Sequence, residues 1–569
     1  MGKLLRGLML GTITGLLLGF IDTYGYAVTG YTTSELSGIV ASILFFLLYK
    51  AVYKETPSVL EHVLGVVAAF GISLSTAITS GMYVTYTMLA EIGDVEELHL
   101  PAWTYFSGPL TLNTFSFYLY ATAVSASGAL IAYAFHRHFI EKERLPYPIG
   151  SAISIMVKVG KILTTKKIVI PIAVGASAEF LIILLGNPSL DITPSLQSVV
   201  PGAALALSMD LLILLLALLL PLNTSIGVGL GNMLTYWILT PILVGAGLMI
   251  SVPTMSAGDV AVAAAPLTAS IIIGFLVVAS AIYVFQSRKS LAATFQYFRL
   301  VKYPLKYLLV AVLLITSAII PVIILMRPAP LYLAIFPAYI LLQLFLAIIT
   351  ARVVGEAGTS SQSTLPLATL TIFAAGGRTS IPYIFTDPYT GVPMPQFVTG
   401  AAMNIIKAGK KLDVDPEPVM SWMMIFMLIG APITLIYGHI LLSAFGTDSP
   451  RLNLLRWVPV VTWMDAIYRG DLSSFNVSAI LLGVIAAAAV FIILKAFRIS
   501  GISLFAFLIG ITLTPDVGLL FLIAALIKYT AYRVGTDVYE GLVTYSSLLL
   551  AGAGVGIAIT VLLALGGVI

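Results

Sequence analysis

The 569-residue chain is 59% hydrophobic, is charged at only 9% of positions and carries a formal net charge of +4. Soluble globular domains are about 25% charged, so this composition excludes an ordinary soluble fold and indicates an all-α polytopic membrane protein. No stretch is long and polar enough to form a separate soluble domain, and the absence of cysteine rules out disulfides and thiolate metal sites.

At about 20 residues per crossing, the chain has room for roughly 14–16 membrane segments. Residues 1–20 place Lys3 and Arg6 before an apolar run; with no clear small-x-small cleavage site, this reads as a first span rather than a signal peptide. Spans are expected near 5–25, 36–53, 62–89 and 112–135. Their basic ends (Lys50 and Lys54, then His136, Arg137, His138, Lys142 and Arg144) alternate with an acidic loop holding Glu91, Asp94, Glu96 and Glu97. The positive-inside rule then puts the N-terminus in the cytoplasm. Residues 145–161, LPYPIGSAISIMVKVGK, are expected to dip into the membrane without crossing. Spans near 168–186, 199–220, 232–251 and 260–285 give the even number of crossings that the basic loop 286–306 requires. Further on, the apolar run 331–349 leads into the polar stretch 352–377, RVVGEAGTSSQSTLPLATLTIFAAGG, and 478–494 is again apolar. Segments 355–377, 395–410 and 500–513 are expected as half-helices or hairpins. Paired Gly- and Pro-interrupted segments in the two parts of a membrane chain point to a transport site, because non-helical backbone survives at membrane depth only around a cavity.

Three carboxylates are candidate coupling groups. Glu356 lies between Gly355 and Gly358 after a long apolar run, with Arg352 one helical turn earlier as a partner; the plainer reading is an Arg–Glu pair at a helix end. Asp210 is expected near the middle of 199–220, unless Pro201-Gly202 starts the helix only two turns before it. Glu179 sits among Ala173, Gly175, Ala176, Ser177 and Ala178, as a cavity carboxylate or half of an interhelical hydrogen bond. Tyr147, Ser151, Ser154, Asn223, Thr224, Thr359, Ser360, Ser361, Gln362 and Thr364 are candidate cavity-lining groups. Small-residue packing is the alternative, and it leaves the six consecutive polar side chains at 359–364 unexplained. Lys158, Lys161 and Lys407 bracket the interrupted segments and either meet a substrate carboxylate or snorkel to the interface. Met420, Met423, Met424 and Met427 form a stripe at helical spacing that reads as a packing or lipid-facing surface rather than a copper site, and His136 and His138 read as part of the basic cluster.

Four elements resemble the oligopeptide transporter (OPT) superfamily, which includes the yellow-stripe-like metal-chelate transporters. They are Leu145-Pro-Tyr-Pro-Ile-Gly-Ser-Ala, the Gly-rich stretch 221–248, Gly355-Glu356-Ala357-Gly358, and Ile405-Ile406-Lys407-Ala408-Gly409 with Pro416 behind it. They stand in the family's order across residues 145–420. The chain departs from the family in carrying Thr359-Ser360-Ser361-Gln362-Ser363 after Gly358 and in lacking an Asn-Pro-Gly-Pro-Phe element. The resemblance implies duplicated helical units in two pseudo-symmetric halves, 1–300 and 301–569, and secondary active transport commonly coupled to protons. The expectation is a plasma-membrane symporter importing oligopeptides or peptide-like metal chelates, with no cofactor, no resident metal and no nucleic-acid partner; a homo-oligomer is compatible with it. The alternatives are a Na⁺-coupled carrier of another solute or a membrane-embedded enzyme, although no His-Glu-x-x-His, Gly-x-Gly-Asp, Asp-Asp-x-x-Asp or P-loop motif is present.

Overall fold

In hydrocarbon a chain must satisfy its backbone hydrogen bonds within each segment, which makes helices of the long apolar runs. The computed structural model describes residues 2–29, 37–92, 101–162, 165–185, 188–300, 305–316, 330–357, 394–447, 476–499 and 501–565. Its helices are α1 (Gly2–Thr29), α2 (Ser37–Tyr53), α3 (Val59–Glu91), α4 (Leu112–Lys142), α5 (Pro148–Ile162), α6 (Thr165–Leu184), α7 (Leu211–Leu219), α8 (Leu222–Gly245) and α9 (Ala257–Leu300). They continue with α10 (Leu305–Thr316), α11 (Pro330–Ala357), α12 (Met394–Lys411), α13 (Pro416–Phe445), α14 (Val477–Ala496), α15 (Leu504–Thr512), α16 (Pro515–Val534) and α17 (Thr536–Leu565). Among the described residues, ten helices are long and apolar enough to cross a membrane. The chain is an all-α polytopic protein, apart from one two-stranded ribbon.

The expected spans near 5–25, 62–89, 112–135, 168–186 and 260–285 all appear as long apolar helices, and the span expected at 232–251 begins earlier, at Leu222. Within the span expected at 36–53, Ser37–Tyr53 form a helix of 17 residues, on the short side for a crossing. The Pro-containing segment that follows α4 gives α5, only 15 residues long and too short to cross alone.

The span expected at 199–220 does not exist. Pro201-Gly202 breaks it near its start, Pro221 follows its end, and its strand Ala206–Ser208 (β2) pairs with Ser189–Asp191 (β1) in a β-ribbon. Only the nine residues of α7 remain helical. Between residues 145 and 286 this leaves three helices of spanning length, so long helices alone do not supply the even crossing number inferred from charge.

Close backbone approach shapes the bundle. Gly7, Gly11 and Gly15 of α1 lie against Glu61, Gly65 and Ala69 of α3, so the two helices run parallel; a Cβ at Gly11 would meet the Gly65 backbone. Arg6 sits 5.0 Å over the Tyr53 ring, bringing the start of α1 to the end of α2. α13 packs on α3 and α4, and α12 packs between α4, α5 and α11. Met420, Met423 and Met427 are buried, so the methionine stripe is a packing surface.

Candidate functional site

The final turn of α4 widens to a π-helix over Arg137–Lys142, and Glu143 follows with its N–H donating to His138 O at 3.0 Å. Single π-turns of this kind often occur at functional positions. Here the widened turn directs Glu143 inward. Arg352, near the end of α11, pairs with Glu143 through one guanidinium nitrogen and with Glu356 through the other, at 2.6 Å. Tyr283 of α9 donates to Glu143 Oε1 at 3.2 Å, and its ring lies 4.9 Å from the Arg352 guanidinium carbon. His138 Nε2 stands 2.9 Å from Glu143 Oε1. Ser503, the N-cap of α15, donates to the second oxygen of Glu356 and accepts from Ala506 N. The three charged side chains are only 11–20% exposed. Burying charges costs several kcal/mol per ion unless geometry and hydrogen bonds compensate, and here each carboxylate has at least two partners.

Glu143 lies just beyond the α4 span. Burial pushes its carboxyl up, but the hydrogen bond from His138 and the Arg352 charge outweigh this and hold it below the ordinary value of 4.5.

The Leu145–Tyr147 turn seals the cluster on one side. Tyr147 has φ of +43°, in the left-handed region, where a non-glycine residue costs about 1–3 kcal/mol and needs surrounding structure to hold it. That support is visible: its N–H donates to Gly355 O at 2.9 Å and its hydroxyl to Ala351 O at 2.9 Å. Gly355 is required for this approach, since a Cβ there would run into Leu145 and Tyr147. Lys407 Nζ donates to Leu145 O at 2.9 Å, Lys411 Nζ to Ser151 Oγ at 2.9 Å, and Gly150 N–H to Asn404 Oδ1 at 3.1 Å. A cleft of about 960 Å³ lies between the end of α4 and the α12–α13 turn, lined in part by His136, Arg137, Lys410, Asp413, Asp415 and Glu417 and by none of Tyr147, Ser151, Glu356 or Lys407.

The structure therefore brings together Tyr147, Ser151, Glu356 and Lys407, with Ser154 one turn along α5 donating to Ser151 O. Glu356 is part of α11 and not of an unwound stretch, and its pair with Arg352 forms as the four-residue spacing suggests. Lys407 is held by a backbone carbonyl rather than lying free at an interface. Lys158 lies near the end of α5, where its charge acts on Lys411. Thr359, Ser360, Ser361, Gln362 and Thr364 lie outside the described residues.

Asn223 and Thr224 are elsewhere, in the first turn of α8 beside the α7–α8 break, where Asn223 faces Gly501. Asp210 is not in the interior of a membrane helix. It is the N-cap of α7, its side chain accepting from Ile213 N at 2.9 Å, which is the helix-start placement that Pro201-Gly202 foreshadows. Glu179 is 5% exposed on α6, close enough to Asp210 to feel its charge, and its Oε2 has no hydrogen-bond partner among the described residues.

Several site residues have no signal in a single sequence. Glu143 and Arg352 are 209 positions apart, and nothing local links them. Tyr283 and Ser503 look like ordinary helix residues. His138, read as one of a basic cluster, is instead buried against a carboxylate. The Asp22 carboxyl, buried in α1 and bonded by Ser73, also escapes notice. Compared with known proteins, the chain matches no family model and no curated protein.

Proposed function

We propose that the chain is a proton-coupled secondary carrier that imports oligopeptides or peptide-like, metal-chelating solutes by alternating access, in the manner of the oligopeptide transporter superfamily. The observation that carries this reading is the buried Glu143–Arg352–Glu356 cluster, built where α4, α9, α11 and α15 meet. Ionisable groups inside membrane proteins are expensive and by default mark substrate or ion pathways. A carrier uses such groups by exchanging internal partners for substrate or a proton. Glu356 is the group assigned to coupling, and Tyr147, Ser151 and Lys407 are assigned to substrate contact.

Two further features support the reading. The cleft at the ends of α4 and α12 presents both signs of charge, which suits a solute bearing an amine and a carboxylate. Among the described residues, α7 in the range 1–300 and α15 in the range 301–569 are both nine-residue helices, which supports duplicated units of two halves. The clustering of basic helix ends supports a cytoplasmic N-terminus in a plasma-membrane protein.

The test is uptake by proteoliposomes under an imposed pH gradient, offering a mixed di- to hexapeptide pool and several iron chelates. Gradient-driven uptake that falls about tenfold or more in Glu356→Gln is the expected result. Uptake indifferent to the pH gradient but dependent on Na⁺ would replace the proton, and turnover of a substrate without flux would replace transport with catalysis.

A further inference from the structure

Among the described residues, α7 and α15 are helices interrupted at half length, and the interruption after α7 is closed by a buried cation. α7 ends at Leu220, whose extended backbone leads through Pro221 into α8. The Lys528 side chain of α16 is fully buried, and its Nζ donates to Ala217 O at 2.9 Å, Leu220 O at 2.7 Å and Ser225 Oγ at 2.6 Å. The two carbonyls belong to the last turn of α7, where intrahelical donors run out and the helix dipole presents its negative end. Two freed carbonyls and a hydroxyl are the kind of oxygen set with which broken membrane helices hold a coupling cation. In this chain a tethered ammonium fills it.

Among the described residues no carboxylate forms an ion pair with Lys528. The described ionisable groups on the elements packed against α16 are Asp210 at the start of α7, Tyr236 on α8, Asp191 on β1, Asp259, Tyr283, Arg288 and Lys289 on α9, and Asp537, Tyr539, Glu540 and Tyr545 on α17. On α16 itself they are Asp516, Tyr529, Tyr532 and Arg533. None of them is hydrogen-bonded to Nζ, which spends its three protons on the α7–α8 break.

We propose that Lys528 is a proton-coupling site: its ammonium latches the α7–α8 break, and transfer of one proton from it to water unlatches it. The ammonium offers three N–H donors to three oxygens. After one proton passes to a water molecule, becoming hydronium, the amine keeps two donors and turns a lone pair toward the third oxygen. The Ser225 hydroxyl, which donates to Ala217 O at 2.9 Å, can turn to that lone pair, so that each oxygen keeps a partner. Deprotonation still removes one of the hydrogen bonds at the break, the charge that strengthens those from Nζ and the attraction of the ammonium for the negative end of α7, and the break, held more weakly, opens. The inference deepens the carrier reading and rests on it for its purpose, but its test needs no substrate.

Because the chain has no cysteine, Leu220→Cys places a single thiol at the buried break, and Ser107→Cys provides a reference on an exposed loop. Each full-length variant is reconstituted in proteoliposomes, and its rate of reaction with N-ethylmaleimide is followed by mass spectrometry from about pH 6 to pH 9. Lys528→Arg and Lys528→Met are then added to the Leu220→Cys background; arginine stays charged throughout this range. The rate with Lys528 present, relative to Lys528→Arg, is expected to rise about tenfold per pH unit until the amine has titrated, the slope of a one-proton requirement. Lys528→Met is expected to react fast at every pH. A ratio that stays flat, or a Lys528→Met chain as closed as the parent, would overturn the proposal. If neither variant folds, the Leu220→Cys to Ser107→Cys ratio in the Lys528 chain decides alone, a flat profile again overturning it. Proton-gated labelling without uptake would remove the carrier reading and keep this one; coupled uptake with flat labelling would do the reverse.

Discussion

Arg352 holds two carboxylates that come from different parts of the chain, so its loss strands both. Removing one partner of a buried ion pair costs about 3–5 kcal/mol, because the remaining charge stays desolvated; with these side chains 11–20% exposed, solvent relieves little of it. Arg352→Ala is therefore expected to lower the thermal midpoint in detergent sharply, and adding Glu356→Gln to it should recover part of the loss. A midpoint unchanged in Arg352→Ala would mean that the cluster is not held together by charge. Glu143 also gives the protein an acid limb. The folded chain binds the Glu143 proton more weakly than the unfolded chain, so the contribution is complete above about pH 4.5 and is lost as pH falls through the lower folded value. Glu143→Gln is expected to flatten the decline in thermal midpoint below about pH 4.5, and a decline as steep as in the parent would contradict the assignment.

Among the elements, the two half-length helices are the informative ones. α15, like α7, has nine residues, a polar N-cap and an extended leucine at its end, Leu513. Its released carbonyls are met by Asn232 of α8, whose Nδ2 donates to Gly510 O, Leu513 O and Thr514 O at 3.3, 3.0 and 3.1 Å. Unpaired buried carbonyls cost about 1–3 kcal/mol. Asn232→Leu should therefore destabilise in that range, Asn232→Asp should be worse because it offers no donor, and Leu230→Ala at an exposed neighbouring position should stay within about 0.5 kcal/mol. Thermal midpoints of the three variants measure this. Both short helices can be read in the sequence as a polar residue, a mostly apolar run of nine and a proline two or three positions on: Asp210 to Pro221 and Ser503 to Pro515. The second falls in 500–513, where the sequence leads one to expect a half-helix or a hairpin. The first was hidden because its apolar run was joined to the Val199–Ser208 segment, whose proline, glycine and ribbon pairing prevent a helix. The partners that close these ends, Lys528 and Asn232, lie about 280–310 positions from the carbonyls they cap, and no local pattern announces them.

For the whole molecule, the long spans were legible because hydrophobic length alone dictates them, whereas the cluster at Arg352 depends on three-dimensional neighbours. The charge pattern also extends further than pairwise reasoning. Lys410 pairs with Glu141 and Lys411 bonds Ser151, so the ends of α4 and α12 and the start of α13 share one face. The positive-inside rule predicts that this face is the cytoplasmic one. In the cysteine-free background, Lys142→Cys, Lys289→Cys and Lys411→Cys are expected to react with an impermeant maleimide from the same side in oriented vesicles, and Ser107→Cys from the other. Labelling of Lys142→Cys and Lys411→Cys from opposite sides would break the shared-face topology.

The capping of the two interruptions is reciprocal, and this has a mechanical consequence. Helix α16, which continues from one short helix, grips the end of the other, while α8 returns the grip. Neither junction can part without pulling on the helix that secures its counterpart. Such an interlock favours an all-or-none rearrangement over independent loosening of either end, and states with one junction open and the other closed become the least accessible conformations.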